Sequence, residues 1–248
     1  MSFAKIFLPK NTRHCIVCRE RCPVSYATLS DYKLCICKDC REKIEHYKSP
    51  AVFAGGSFLK FLICAYPYSG VLKDSFMQYK FFGQRAYGTL FSELLCDSAA
   101  HFMKKGDFDL IIPVPLSSKR MKERGFNQSA IMALELSQRF ETDYSERVLF
   151  RIRHTERQSK LNSAARTINV KGAFFADKRF AEGKRILLTD DIYTVGATMN
   201  ECARVLSESG AAMVAGITLF KSHIYEKTKE IYNFDLHSDG AKEKNTKN

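Results

Sequence analysis

Hydrophobic positions recur along the chain with two different periods, and the changes of period mark out its elements. Ile186 to Leu188 form an apolar run that stops at Asp190 and Asp191. A polar loop from Thr194 to Thr198 follows, and Met199, Cys202, Ala203 and Leu206 then recur at helical spacing. Strand, loop and helix are predicted in that order. Thr198 and Glu201 have the spacing of a capping box, and Gly210 stands where a helix stops. Upstream, Phe58 to Tyr66 reads as a strand and Tyr68-Ser69-Gly70 as a turn into a helix. That helix carries Val71, Leu72, Ser75, Phe76 and Tyr79 on one side, with Lys73 and Lys80 outside the stripe. Leu90, Phe91, Leu94 and Leu95 mark a second amphipathic helix running to Phe102. The apolar run after Asp109 ends in Pro113-Val114-Pro115, an exit that cannot continue as a central strand. Gly125 to Gln128 leads into a helix with Ile131 and Leu134 inward. Residues 172–175 and 211–220 read as further strands, the last as the parallel neighbour of the strand before it. Apolar runs alternating with helical patterns predict an α/β fold, a parallel sheet flanked by helices.

In such a sheet, ligands sit beyond the carboxyl ends of the strands, where a helix N-terminus offers unpaired N–H groups to an anion. Thr194, Val195, Gly196, Ala197 and Thr198 can supply backbone N–H groups and hydroxyls to a phosphate, with Gly196 allowing close backbone approach. Asp190 and Asp191 are acceptors at neutral pH; they suit vicinal sugar hydroxyls, or a metal and its water shell. Acids for a ribose beside donors for its phosphate make a ribose-phosphate site. An ordinary buried strand ending in solvated acids, ahead of a capped helix, has the same outline.

Two basic stretches change the picture. After the 109–115 strand, Leu116, Ser117 and Ser118 lead into Lys119, Arg120, Lys122 and Arg124, which reads as a second ligand loop at the same sheet edge. Arg151, Arg153, Arg157 and Gln158 belong to a strongly basic run, and Arg166 follows within a polar stretch lacking a firm period, so residues 151–169 are expected to form a long mobile hairpin or loop. Such loops close over pyrophosphate or bind a nucleic-acid backbone. The formal net charge of +12 favours polyanionic partners in general.

Among the nine cysteines, Cys15-x2-Cys18 and Cys37-x2-Cys40 match the paired knuckles of a four-thiolate zinc ribbon. Cys35 competes with Cys37 for the fourth position; Cys37 is preferred because it runs directly into a helix-like 41–46. The roles of Cys22 and Cys35 stay open. The division expected is a zinc ribbon at 12–48, a joint near 49–56, a main domain at 57–222 and a polar tail at 223–248, disordered beyond Gly240. No segment approaches the ~20 apolar residues of a membrane span, and Ile6 to Leu8 is too short for the apolar region of a signal peptide. No membrane insertion and a cytoplasmic location are therefore expected.

Taken in order, the cysteine pairs, Tyr68 with Lys80-Phe-Phe-Gly83, Pro113-Val-Pro-Leu-Ser-Ser118, Arg124-Gly-Phe-Asn-Gln128, Arg151-x-Arg-x-Thr-x-x-Gln158, Arg166-x-x-Asn-Val170 and the 190–198 loop resemble the ComF competence proteins over roughly residues 12–221. The acidic loop is similar to the phosphoribosyl pyrophosphate (PRPP) motif of type I phosphoribosyltransferases, with Val195 in place of the second Thr. The resemblance implies a type I phosphoribosyltransferase-like fold, PRPP bound at 190–198 with Mg2+, a pyrophosphate-facing loop at Leu116, Ser117, Ser118, Arg120 and Arg124, structural Zn2+, and the handling of incoming single-stranded DNA in natural transformation beside a competence helicase. An active phosphoribosyltransferase with an unidentified acceptor and a nucleotide-sensing regulator are the alternatives.

Overall fold

The computed structural model describes residues 12–23, 34–48, 50–55, 57–82, 85–153, 155 and 163–222. Its centre is a six-stranded sheet formed by β3 (Ala51–Ala54), β4 (Phe61–Pro67), β10 (Met213–Lys221), β9 (Arg185–Tyr193), β5 (Leu110–Pro113) and β6 (Asp143–Tyr144), in that spatial order. Neighbours from β4 to β6 are parallel, and β3 lies antiparallel on the β4 edge. The stretch read as a joint thus supplies an edge strand.

Period-two alternation along these strands divides the interior into two apolar layers. On β9, Leu187 enters one layer while Ile186 and Leu188 enter the other; on β4, Phe61, Ile63 and Ala65 oppose Leu62 and Cys64. The first layer is covered by α2 (Gly70–Phe82), α3 (Arg85–Ala99) and α5 (Gln128–Arg139), through Leu72, Phe76, Leu90, Phe91, Met132 and Leu136. Phe76 meets Phe91 and Phe220 edge-to-face at 4.9 and 5.0 Å between centroids, the arrangement that ring quadrupoles favour. The second layer is covered by α8 (Ala197–Glu208), through Met199, Cys202, Ala203 and Leu206, and by a separate antiparallel ribbon of β7 (Leu149–Arg151) and β8 (Phe174–Ala176).

Several expectations give way to the structure. Ile131 and Leu134 are 38% and 44% exposed; α5 instead buries Ser129, Met132, Ala133 and Leu136, a face whose small polar members disguise it as solvent-facing. Residues 118–124 form a short helix, α4 (Ser118–Arg124), rather than a loop, with Ser117 Oγ accepting from Arg120 N–H and Gly125 closing it in the left-handed conformation. Part of the expected 151–169 loop is α6 (Ser163–Val170). The capping box does not form: Gly196 is the N-cap residue of α8, and the Glu201 carboxylate accepts from Gly172 N–H at 2.6 Å and pairs with Arg204. Gly210, at φ +90°, does follow the helix end.

At the N-terminal side, β1 (Thr12–His14) pairs with β2 (Arg21–Pro23), and α1 (Lys38–Tyr47) follows the second cysteine pair. This module packs on the α2–α3 layer: Ser75 Oγ donates to Val17 O at 3.2 Å, and Arg19 donates to Tyr87 Oη and Gln78 Oε1. The expected tail at 223–248 lies outside the described residues. Among the described residues, no helix is long and apolar enough to cross a membrane.

Candidate functional site

The crossover from β9 through α8 to β10 runs over one face of the sheet, and that from β5 through α5 to β6 over the other. Between β5 and β9 the chain therefore leaves in opposite directions, opening the crevice that parallel sheets use for ligands. A cavity of about 290 Å3 lies there. Its floor is the end of β9 with Asp190, Asp191 and Tyr193; one wall is Thr194, Gly196, Ala197 and Thr198, and the other is Leu116, Arg120 and Arg124. Arg151 from β7 and Arg166 from α6 complete it, with Tyr68, Lys80 and Ser222 on the remaining side.

Gly196 has φ +74°, and a Cβ there would stand 2.2 Å from Tyr193 Oη, so a larger residue in the turn from β9 into α8 would strain the backbone and displace the Tyr193 ring. No side chain caps α8, whose N-terminal turn at Gly196, Ala197 and Thr198 lines the cavity. The two acids are held differently. Asp190 Oδ1 accepts from Ser129 Oγ at 3.0 Å and from Asp191 N–H at 2.8 Å. Asp191 Oδ2 lies 2.7 Å from Lys80 Nζ, their side chains 18% and 13% exposed. Burial, and then the neighbouring Asp191 charge, push Asp190 up to about 7. Burial raises Asp191 too, but Lys80, Arg124 and Arg120 together outweigh it and hold that carboxyl below its ordinary value. One acid is thus a fixed anion and the other is poised near neutrality.

Arg151 is the half-buried member of the cationic cluster. Burial, followed by the Arg120 charge, lowers Arg151. Its guanidinium donates to Thr155 Oγ1, while its buried Nε has no hydrogen-bond partner among the described residues. Arg124 Nη1 donates to Gln128 Oε1 at 2.9 Å. Guanidiniums clustered on one cleft suit an anion of several charges.

Not every candidate reaches the cavity. Val195 packs against the second apolar layer. Ser117 is buried as the α4 cap, and Ser118 is exposed. Arg153 turns its guanidinium to the carbonyls of Asn169 and Lys171, at 2.9 and 2.8 Å. Arg157 and Gln158 lie outside the described residues. In return Lys80, Tyr68 and Tyr193 line the cavity, and Ser129 holds Asp190 from α5. The signals for Tyr68 and Lys80 were their place in a motif of the resemblance and, for Lys80, its position off the apolar stripe of α2; nothing local marked Ser129.

Away from the cleft, the Sγ atoms of Cys15, Cys18, Cys37 and Cys40 all lie within 4.8 Å of one another, close enough to bind a metal. Cys18 and Cys37 are 3.7 Å apart, against about 3.8 Å between sulfurs placed tetrahedrally 2.3 Å from zinc. Cys15 Sγ accepts from the N–H groups of Val17 and Cys37. Cys22 and Cys35 form a separate buried pair, with sulfurs 2.7 Å apart.

No family model matches the chain. The DNA utilization protein YhgH of Shigella flexneri is 31% identical over 156 residues, covering 62% of this chain and 68% of that protein. The chain belongs to the ComFC/YhgH family. Competence protein ComFC of Bacillus subtilis is 34% identical over 166 residues, 63% of this chain and 62% of its own, and that of Streptococcus pneumoniae is 32% identical over 63% of this chain and 66% of its own. The matches to this ComFC/YhgH member thus span about two thirds of the length of these relatives. Among solved structures, glutamine PRPP amidotransferase from B. subtilis complexed with ADP and GMP shares 21% identity over 57% of this chain and 30% of its own, with a TM-score of 0.38, an overlap too slight to bear on function.

Proposed function

We propose that this ComFC/YhgH protein binds PRPP in the β5–β9 cleft and handles single-stranded DNA in natural transformation. One observation carries the first half: the cleft sets two carboxylates, one fixed and one poised near neutrality, beside Arg120, Arg124, Arg151 and Arg166 and an uncapped helix N-terminus. A ribose diol donates to carboxylates, and phosphates accept from guanidiniums and N–H groups; PRPP presents both in one molecule. Asp190 and Asp191 would hold magnesium carried by the pyrophosphate, which would neutralise part of its charge. The second half is supported by the names of the relatives and by the +12 charge.

The four clustered thiols hold Zn2+, which orders the segment around them. Calorimetry on the zinc-loaded protein with PRPP and a single-stranded oligonucleotide, separately and then together, tests the reading. Each is expected to bind, the oligonucleotide weakly and with strong salt dependence. No heat from either ligand would contradict it.

A further inference from the structure

Alternation turns the two faces of the β7–β8 ribbon toward different surroundings. Its register pairs Arg151 with Phe174 and Phe150 with Phe175. Arg151 faces inward, its guanidinium 5.2 Å from the Phe174 ring centroid, and lines the cleft. Phe150 and Phe175 face away. They stack on one another with centroids 6.4 Å apart and planes at 30°, and are 39% and 52% exposed. Ile152, two residues on along the same face, is 66% exposed.

Cations bracket this aromatic pair. Arg147 is exposed just before β7; at the other end stand Arg153 and Lys171, also exposed, where Arg153 clasps the chain entering β8. Beyond β8, Arg179 lies over the ring of Phe180, which is itself 51% exposed. Of the nearby acids, Asp177 and Glu182 are engaged by Arg179 and Lys178, and Glu146, exposed beside Arg147, accepts from Tyr144 Oη at 2.7 Å.

We infer that the outward face of this ribbon is a base-stacking platform for single-stranded nucleic acid, with bases on Phe150 and Phe175 and phosphates at Arg147, Arg153 and Lys171. The inference rests on the DNA-handling reading above and adds where the strand lies and that its bases are held. Flat apolar rings between cations suit a ligand with an anionic backbone and π-faced bases of any sequence. A second copy docking symmetrically would set those cations against their own kind.

Fluorescence anisotropy with the full zinc-loaded chain tests it, using a labelled oligothymidylate and an abasic oligonucleotide of equal length and charge. The wild type is expected to prefer oligothymidylate. Joint replacement Phe150→Ala with Phe175→Ala should weaken oligothymidylate binding roughly ten- to hundredfold, leaving the abasic strand and the salt slope unchanged. Phe150→Tyr with Phe175→Tyr should keep the affinity, and Phe150→Leu with Phe175→Leu should not. Should the wild type bind oligothymidylate and the Ala protein bind it equally, the platform is wrong and the DNA reading stands. Rescue by Leu, or equal loss on both strands, overturns base stacking as well. If the wild type binds neither strand, the DNA reading itself fails and the platform falls with it.

Discussion

The cysteine module and the cleft are assembled in opposite ways. The module draws its four sulfurs from two short sequence pairs and places them within 4.8 Å of one another. The cleft draws Lys80, Ser129, Arg151 and Asp190 from four separate elements and holds them by the packing of a sheet buried on both faces. A local site depends on its ion for order, whereas a site framed by a core keeps its shape without a ligand. Metal loss should therefore act on folding, and changes in the cleft should act on binding.

The largest effect expected is at the metal. Cys18→Ser or Cys40→Ser should abolish stoichiometric zinc, measured by elemental analysis, and unfold the module, since structural zinc contributes apparent free energies of about 10–16 kcal/mol in small sites. Cys22→Ser should retain the ion, because its sulfur belongs to the separate pair with Cys35. Zinc loss in the Cys22→Ser protein would show that the ligand set is wrong.

Next comes the acid pair. Asp190→Asn with Asp191→Asn keeps size but removes the charge that strengthens bonds to ribose hydroxyls, each about 1.5–3 kcal/mol. The PRPP dissociation constant should rise by two to three orders of magnitude, roughly tenfold per 1.4 kcal/mol. The same change leaves Lys80 Nζ without the carboxylate 2.7 Å away, so a modest fall in Tm should accompany it. Unaltered PRPP binding would reduce the acids to a strand end.

The difference between these regions also explains what the sequence reveals. Cysteine spacing is legible because the ligands of each pair are neighbours in the chain, and Asp190 and Asp191 are legible because a strand visibly ends there. Lys80 pairs with Asp191 across more than a hundred residues; in the sequence it stands in a motif of the resemblance and off the apolar stripe of α2, but nothing there joins it to the acids. The α5 face was misread because Ser129 and Gln128 are buried, with Ser129 Oγ spent on Asp190. In the same way Glu201 looks like a capping partner but binds Gly172 N–H, joining α8 to the turn before β8. Tertiary hydrogen bonds decide these positions, and a local pattern cannot display them.

A smaller effect separates the two acids by pH. Asp190, raised to about 7, is a carboxylate only above that value, so diol binding should be full above pH 7 and weaken by up to tenfold per unit below it. The stability linkage has the opposite sign: a raised carboxyl disfavours the folded state above its ordinary value and relaxes as pH falls from 7. Asp191, held low, contributes stability above its ordinary value and loses it only as pH falls through its depressed one. Calorimetric titrations from pH 5.5 to 8.5 should show the slope in the wild type and lose it in Asp190→Asn. A slope that persists in that variant belongs to the ligand.

The smallest effect is at Val195. Restoring a hydroxyl there by Val195→Thr should change PRPP affinity by less than about threefold, because the side chain packs against the apolar layer behind α8. A tenfold tightening would place that side chain on the phosphate instead.

The cleft itself is tested most directly by titrating PRPP, ribose 5-phosphate and pyrophosphate separately into wild-type protein at pH 8 with magnesium and a full zinc complement. Binding of PRPP at one per chain, tighter than either fragment and competed by both, is the predicted result. Absence of PRPP binding in protein whose zinc and fold are intact would contradict it.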